Sequence, residues 1–236
     1  MTRIDVTVPL VRRLAEEVRP LVRKLTGWRL DLPGLEIRVL PQDRGYEEVV
    51  LHRLEGAGLS VDEDEPRGLF EKIVEYVVER SVLAAYEPSR GELMVIRENV
   101  DESNLDGLRL VVAHELVHRG QHLRHPELFE RVDAVVRSTF DYISDGGSEL
   151  QVILEKAAEI QSIMTVLESH AVYVQESLRG TLYPDAVIES HFSLAVLLLR
   201  CFAGAKIAQY RDGIPQVAEA TRDGRVDQMY ANLGAR

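Results

Sequence analysis

The segment Val111-Val-Ala-His-Glu-Leu-Val-His-Arg119 puts two histidines and a glutamate inside an otherwise apolar stretch. Leu108, Val111, Val112, Leu116 and Val117 recur as they do on a helix headed for a core. Groups that ionise are expensive in such a place unless another part of the chain or a ligand partners them. His114 and His118 are four residues apart, so their Cβ atoms lie about 5–6 Å apart on one face. Both imidazoles can then reach a single metal ion. Glu115, next to the first histidine, is placed to meet a water on that ion rather than the ion itself. Any fold of this chain therefore has to deliver a further donor to that face from elsewhere.

A catalytic zinc site has three protein ligands and leaves a fourth position for water. The metzincin spacing asks for Gly at 121 and His at 124; the chain has Gln121 and Arg124, which rejects that class. His122 continues the stripe but lies about 12 Å along the helix from His114, and is expected to face solvent. His125, before Pro126, reads as a turn residue. The remaining source is Thr165-Val-Leu-Glu-Ser-His-Ala-Val-Tyr-Val174, where Glu168 and His170 interrupt apolar sequence. These two point about 200° apart on a helix, so only one can face a shared ion. Glu168 is the better candidate, because a buried carboxylate is the costlier group to leave alone. His170 as ligand, or a Glu168 paired with Arg or Lys, are the alternatives.

The rest of the chain sets the architecture. Val8, Val11, Leu14, Val18, Leu21 and Leu25 recur at helical steps between about Pro9 and Leu25. Leu35 to Leu40 alternates as a half-buried strand does, and Ala84 to Ile96 reads as a hairpin turning at Pro88 to Gly91. Helical patterning is also expected at Tyr46 to Leu54 and Leu69 to Val82, on either side of the acidic loop Asp62-Glu-Asp-Glu-Pro66. From Ser103 onward the pattern is helical. One helix is expected to about Leu123, one opened by Pro126, and a long one from Ser148 to Gly180 with Ser148 and Gln151 as a capping box. An apolar helix is then expected from Ala186 to Tyr210, and a short one between Pro215 and Leu233. The expectation is an α+β, helix-rich, single domain over 1–236, with a small sheet before residue 100 and a helical metal-binding half after it.

Charge and cysteine use narrow the function classes. A net charge of −11 argues against sequence-independent nucleic-acid binding. The lone cysteine, Cys201, closes no intrachain disulfide and fits a reducing cytoplasm. Arg12 and Arg13 interrupt any signal-peptide core, and Ser193 to Ala205 is too short to span about 30 Å of hydrocarbon. A cytoplasmic protein without a membrane or nucleic-acid partner is expected.

The motif and its downstream Leu167-Glu-Ser-His-Ala171 resemble zincin-like hydrolases of the gluzincin type. More narrowly, they resemble zincin-like proteins of bacteria and archaea labelled as hydrolases or as associated with deazaflavin-coenzyme biosynthesis. Lys206-Ile-Ala-Gln-Tyr-Arg-Asp-Gly213 and the segment Val217 to Tyr230 extend the likeness, which covers about Leu105 to Tyr230. Where that family usually has Glu-Gly-His, this chain has Glu168-Ser169-His170. The resemblance implies Zn2+ held by His114, His118 and Glu168, with Glu115 as the catalytic carboxylate. An active site of this kind is expected to hydrolyse a peptide or small amide by a zinc-bound water that Glu115 activates, with Tyr173, His170 and His191 as unranked candidates for transition-state donor. It also implies that an extended substrate adds to the strand at Ala84 to Tyr86. The competing expectation is a non-catalytic zincin-like protein with a structural metal and a partner-binding surface.

Overall fold

A computed structural model describes residues 4–45, 47–51, 82–101, 103–186 and 207–234. Helix α1 runs Val8–Thr26; Thr7 caps it by accepting from Leu10 N, and Gly27, at φ 72°, ends it with its N–H on Arg23 O. Its buried face, Val11, Leu14, Ala15, Val18 and Val22, takes Val11, Leu14 and Val18 from the predicted stripe, with Leu21 and Leu25 partly buried beside it and Val8 exposed, and it lies against α2, Leu105–Arg124. Asn104 caps α2 through its side-chain oxygen, which accepts from Gly107 N at 2.7 Å.

Three strands form the sheet: β1 (Glu36–Leu40), β2 (Ala84–Glu87) and β3 (Glu92–Ile96), in the order β1-β3-β2. β2 and β3 are the expected hairpin, antiparallel with Tyr86 opposite Leu93. β1 pairs in parallel with β3, Ile37 opposite Leu93. β3 is therefore the middle strand, and all five of its residues are buried, which accounts for the run Leu93-Met-Val-Ile96 where an exposed strand would alternate.

Helix α3 (Pro126–Ser144) starts on Pro126 as expected, and α4 (Leu150–Leu182) spans 33 residues. Two further helices, α5 (Ile207–Arg222) and α6 (Val226–Gly234), close the described chain. The core joins α1, the sheet, α2, α3, α4 and α6. α2 lies at its centre and is buried on nearly every side, between the sheet, α1 and α4. Its Gly120 faces Leu30 and Trp28 so closely that a Cβ there would stand 2.8 Å from Leu30 Cδ2 and 2.9 Å from the indole. The architecture is α+β and helix-rich, with a small early sheet and a helical C-terminal half, as the sequence predicts.

Several boundaries differ from expectation. Glu149 rather than Ser148 precedes α4, and its N–H donates to the Tyr142 hydroxyl at 3.2 Å. A tyrosine of the preceding helix thus meets the N-cap N–H, and no side chain of the N-cap accepts from the first turn. Gly180 does not stop α4; the helix continues to Leu182 and yields at Tyr183, the residue before Pro184, where a helical conformation is disfavoured. Pro215 lies inside α5 rather than opening a helix, and Gly224, at φ 67°, divides the predicted final helix into the end of α5 and α6. Of the helix expected at Tyr46 to Leu54, Glu47–Leu51 forms a short π-type turn. The rest of that helix, the loop at Asp62 to Pro66, nearly all of the helix at Leu69 to Val82 and most of the one at Ala186 to Tyr210 lie outside the described residues. No helix among the described residues is long and apolar enough to cross a membrane.

Candidate metal centre

Because α2 turns 100° per residue, it shows two polar stripes to two different neighbours. His114, His118 and Gln121 face α4; Glu115 and His122 face β2. The imidazoles of His114 and His118 meet edge to face one turn apart, with ring centres 4.8 Å apart and planes at 71°. Their Nε2 atoms come within 3.1 Å. Glu168 of α4 reaches both: Oε2 lies 3.4 Å from His114 Nε2, and Oε1 lies 3.5 Å from His118 Nε2. All three residues are buried, and their donor atoms lie within 4.8 Å of one another.

This donor set fits a metal ion. Donors about 2.0–2.1 Å from a tetrahedral ion stand about 3.3–3.4 Å from each other. The two imidazole nitrogens stand near that edge length, and each meets one oxygen of Glu168 near it, Oε2 for His114 and Oε1 for His118, while one donor atom from each residue lies within 4.8 Å of the other two. Two imidazole nitrogens and a carboxylate turned toward a common point inside a core are otherwise an expensive arrangement. The charge balance leans the same way. Burial pulls the pKa of His114 down, but the hydrogen bond to Glu168 and the charges of Glu115 and Glu168 outweigh it, and the net shift is upward. The buried His114/His118/Glu168 group can thus hold a metal ion, and it favours positive charge at this spot.

Glu115 stands beside the ligand group and is held from the sheet side. The backbone N–H of Tyr86 donates to its Oε2 at 2.8 Å. β2 is an edge strand among the described residues, so this N–H points away from β3 toward α2.

Behind the ligands a second polar layer reaches the C-terminus. His118 Nδ1 is 2.8 Å from Gln121 Oε1. Gln121 Nε2 donates to Leu167 O at 2.8 Å and to the Tyr230 hydroxyl at 3.0 Å. Tyr230 is 2.7 Å from His170 Nδ1. On the other side, the Gln175 side chain interacts with His114, helping to raise its pKa. Gln175 follows Glu168 by seven residues, two helical turns, and so shares its face.

Each predicted residue can now be placed. His114, His118 and Glu168 come together. His170 points away from them, as the 200° offset requires, into a nest of Trp28, His125 and Tyr230. Burial, then the nearby charge of His118, pushes its pKa down to about 3, so it stays neutral. Tyr173 lies five residues after Glu168, about 140° around α4, and packs against the core. His191 lies outside the described residues. His122 is not solvent-facing as expected; it is half-buried, with Nδ1 3.0 Å from the Tyr86 hydroxyl. A tyrosine arriving on β2 gives it a partner that the helix pattern alone could not reveal. His125 does occupy the α2–α3 turn, where Nε2 meets Asp227 Oδ1 at 3.2 Å.

Sequence reasoning missed Gln121, Gln175 and Tyr230. A buried amide inside an apolar stretch was the available signal for the first two. Tyr230 carried none beyond its place in the segment that resembles the zincin-like family. Comparison with protein-family models, curated proteins and solved structures finds no match.

Proposed function

We propose that this chain is a zinc-dependent hydrolase that cleaves a peptide or small amide bond. One observation carries the reading: the Nε2 atoms of His114 and His118 lie 3.1 Å apart and meet the two oxygens of Glu168 at 3.4 and 3.5 Å, with the Glu115 carboxylate alongside. Two nitrogens and one carboxylate oxygen suit zinc, and three protein donors are the pattern of catalytic rather than closed structural sites. Zinc supplies a Lewis acid and lowers the pKa of a water toward about 7.

The protein's own groups do the rest. Glu115, with Oε2 held by Tyr86 N–H, has Oε1 to accept the proton of the attacking water. Once the C–O bond has formed, it returns that proton to the leaving nitrogen, and the amide C–N bond breaks. An extended substrate laid along the edge strand β2 would bring its carbonyl close to Glu115, because Tyr86 already touches that carboxylate. A cytoplasmic setting belongs to the same reading, as does the resemblance to gluzincin-type hydrolases.

The test begins with elemental analysis of purified protein, followed by scattering at the zinc absorption edge to locate the ion. One zinc per chain between α2 and α4, with hydrolysis of a peptide or amide panel that chelation abolishes, supports the proposal. Protein that neither retains nor takes up zinc removes it.

A further inference from the structure

Leu167 O, like any carbonyl, only accepts hydrogen bonds, so the Gln121 amide that meets it at 2.8 Å must present its NH2 group there. That fixes the amide's orientation and turns Oε1, an acceptor only, toward His118 Nδ1 at 2.8 Å. Nδ1 must then carry the imidazole proton, and the lone pair of neutral His118 is left on Nε2, the atom that faces His114 and Glu168. The same NH2 group donates to the Tyr230 hydroxyl, whose own proton goes to His170 Nδ1. The direction of the chain from His118 to Tyr230 is set by a backbone carbonyl next to Glu168.

We infer that Gln121 is a positioning residue for the metal centre: it selects the His118 tautomer that can bind a metal through Nε2 and ties that ring to the backbone beside Glu168. One side chain thereby couples the two helices that supply ligands. Gln121 is fully buried, so neither of its functional groups exchanges with water. Tyr230, 109 residues away in sequence, braces it from α6. The inference rests on the metal-site reading above, and its test separates the two.

Long-range 1H–15N spectra of metal-free wild-type protein at alkaline pH report the His118 tautomer directly. The Nδ1–H form is expected; an Nε2–H form overturns the inference whether or not zinc binds. Zinc competition against a chromogenic chelator then compares wild type, Gln121→Met and Gln121→Glu, with circular dichroism and urea unfolding of the metal-free forms alongside. Gln121→Met removes the acceptor and should lower zinc affinity about 10–100-fold. Gln121→Glu keeps an acceptor for His118 Nδ1–H and should hold affinity within about 5-fold of wild type, despite losing donors and stability. Equal affinity of the Met variant and wild type, or equal losses in both variants, overturns the inference. Wild type that binds no zinc while His118 carries Nδ1–H defeats the proposed function and leaves the tautomer assignment standing. If the Met variant does not fold, the wild-type spectrum and the Glu variant still decide.

Discussion

The backbone N–H of Tyr86 donates to Oε2 of Glu115 at 2.8 Å, so the sheet edge grips the carboxylate that follows His114. The same tyrosine sends its hydroxyl to His122, two turns further along α2. Strand and helix are thus fastened at two points, one through the main chain and one through a side chain. Exchange of Glu115 for its amide therefore alters charge and basicity while leaving an oxygen that Tyr86 N–H can still meet.

Glu115→Gln is expected to retain zinc at wild-type stoichiometry and lose hydrolysis by about 10²–10⁴-fold. Metal content and turnover measured on the same preparation check this. Turnover equal to wild type would remove Glu115 from the proton-transfer role.

Glu168→Ala is expected to weaken zinc binding by orders of magnitude, whereas His122→Ala, which loses contacts to Tyr86 and Phe129 and none to the three candidate ligands, should leave it unchanged. Thermal unfolding reads both. Zinc at about 100 times its dissociation constant stabilises a protein by about 2.7 kcal/mol, and that upward shift should survive in His122→Ala and vanish in Glu168→Ala. The opposite ranking would show that the ligands are misassigned.

Two glycines should respond in opposite directions to alanine. At Gly120 the new methyl meets Leu30 and the Trp28 ring at under 3 Å, and a loss of about 1–3 kcal/mol is expected. Gly180 lies inside α4 with nothing within 4 Å of its would-be Cβ, and a gain of about 0.4–1 kcal/mol is expected. Urea unfolding of each variant checks the signs.

Asp227 pins α6 to the end of α2, and hydrogen bonding to Arg124 is the largest cause holding its pKa below the usual aspartate value. His125 and Trp28 Nε1–H meet the same carboxylate. A carboxylate whose pKa is lower folded than unfolded adds stability above the unfolded value, about 3.9, and that contribution fades as pH falls through the folded one. Asp227→Asn should be less stable than wild type by about 1 kcal/mol at neutral pH, with the gap closing as pH drops below about 4. A gap that persists in acid would assign the effect to shape rather than charge.

The candidate metal ligands divide between what neighbouring residues dictate and what packing dictates. The His114 and His118 pair was legible because four residues are one helical turn, a relation that holds in any helix. The 200° separation of Glu168 and His170 is legible for the same reason, and a buried carboxylate's need for a cation favoured Glu168. The apolar stripe of α1, the turn at Pro88 to Gly91 and the start of α3 at Pro126 follow likewise from periodicity and local backbone preference.

Packing decided the rest. No local rule pairs β1 in parallel with β3, brings the Tyr142 hydroxyl to the start of α4, or sets Tyr230 against Gln121 and His170. These contacts join residues on separate elements. Their free energy depends on how helices cross and on which buried donors still need acceptors once the core has closed. Periodicity identifies the face an element buries; the element it meets there is selected only when every buried polar group must find its partner at once.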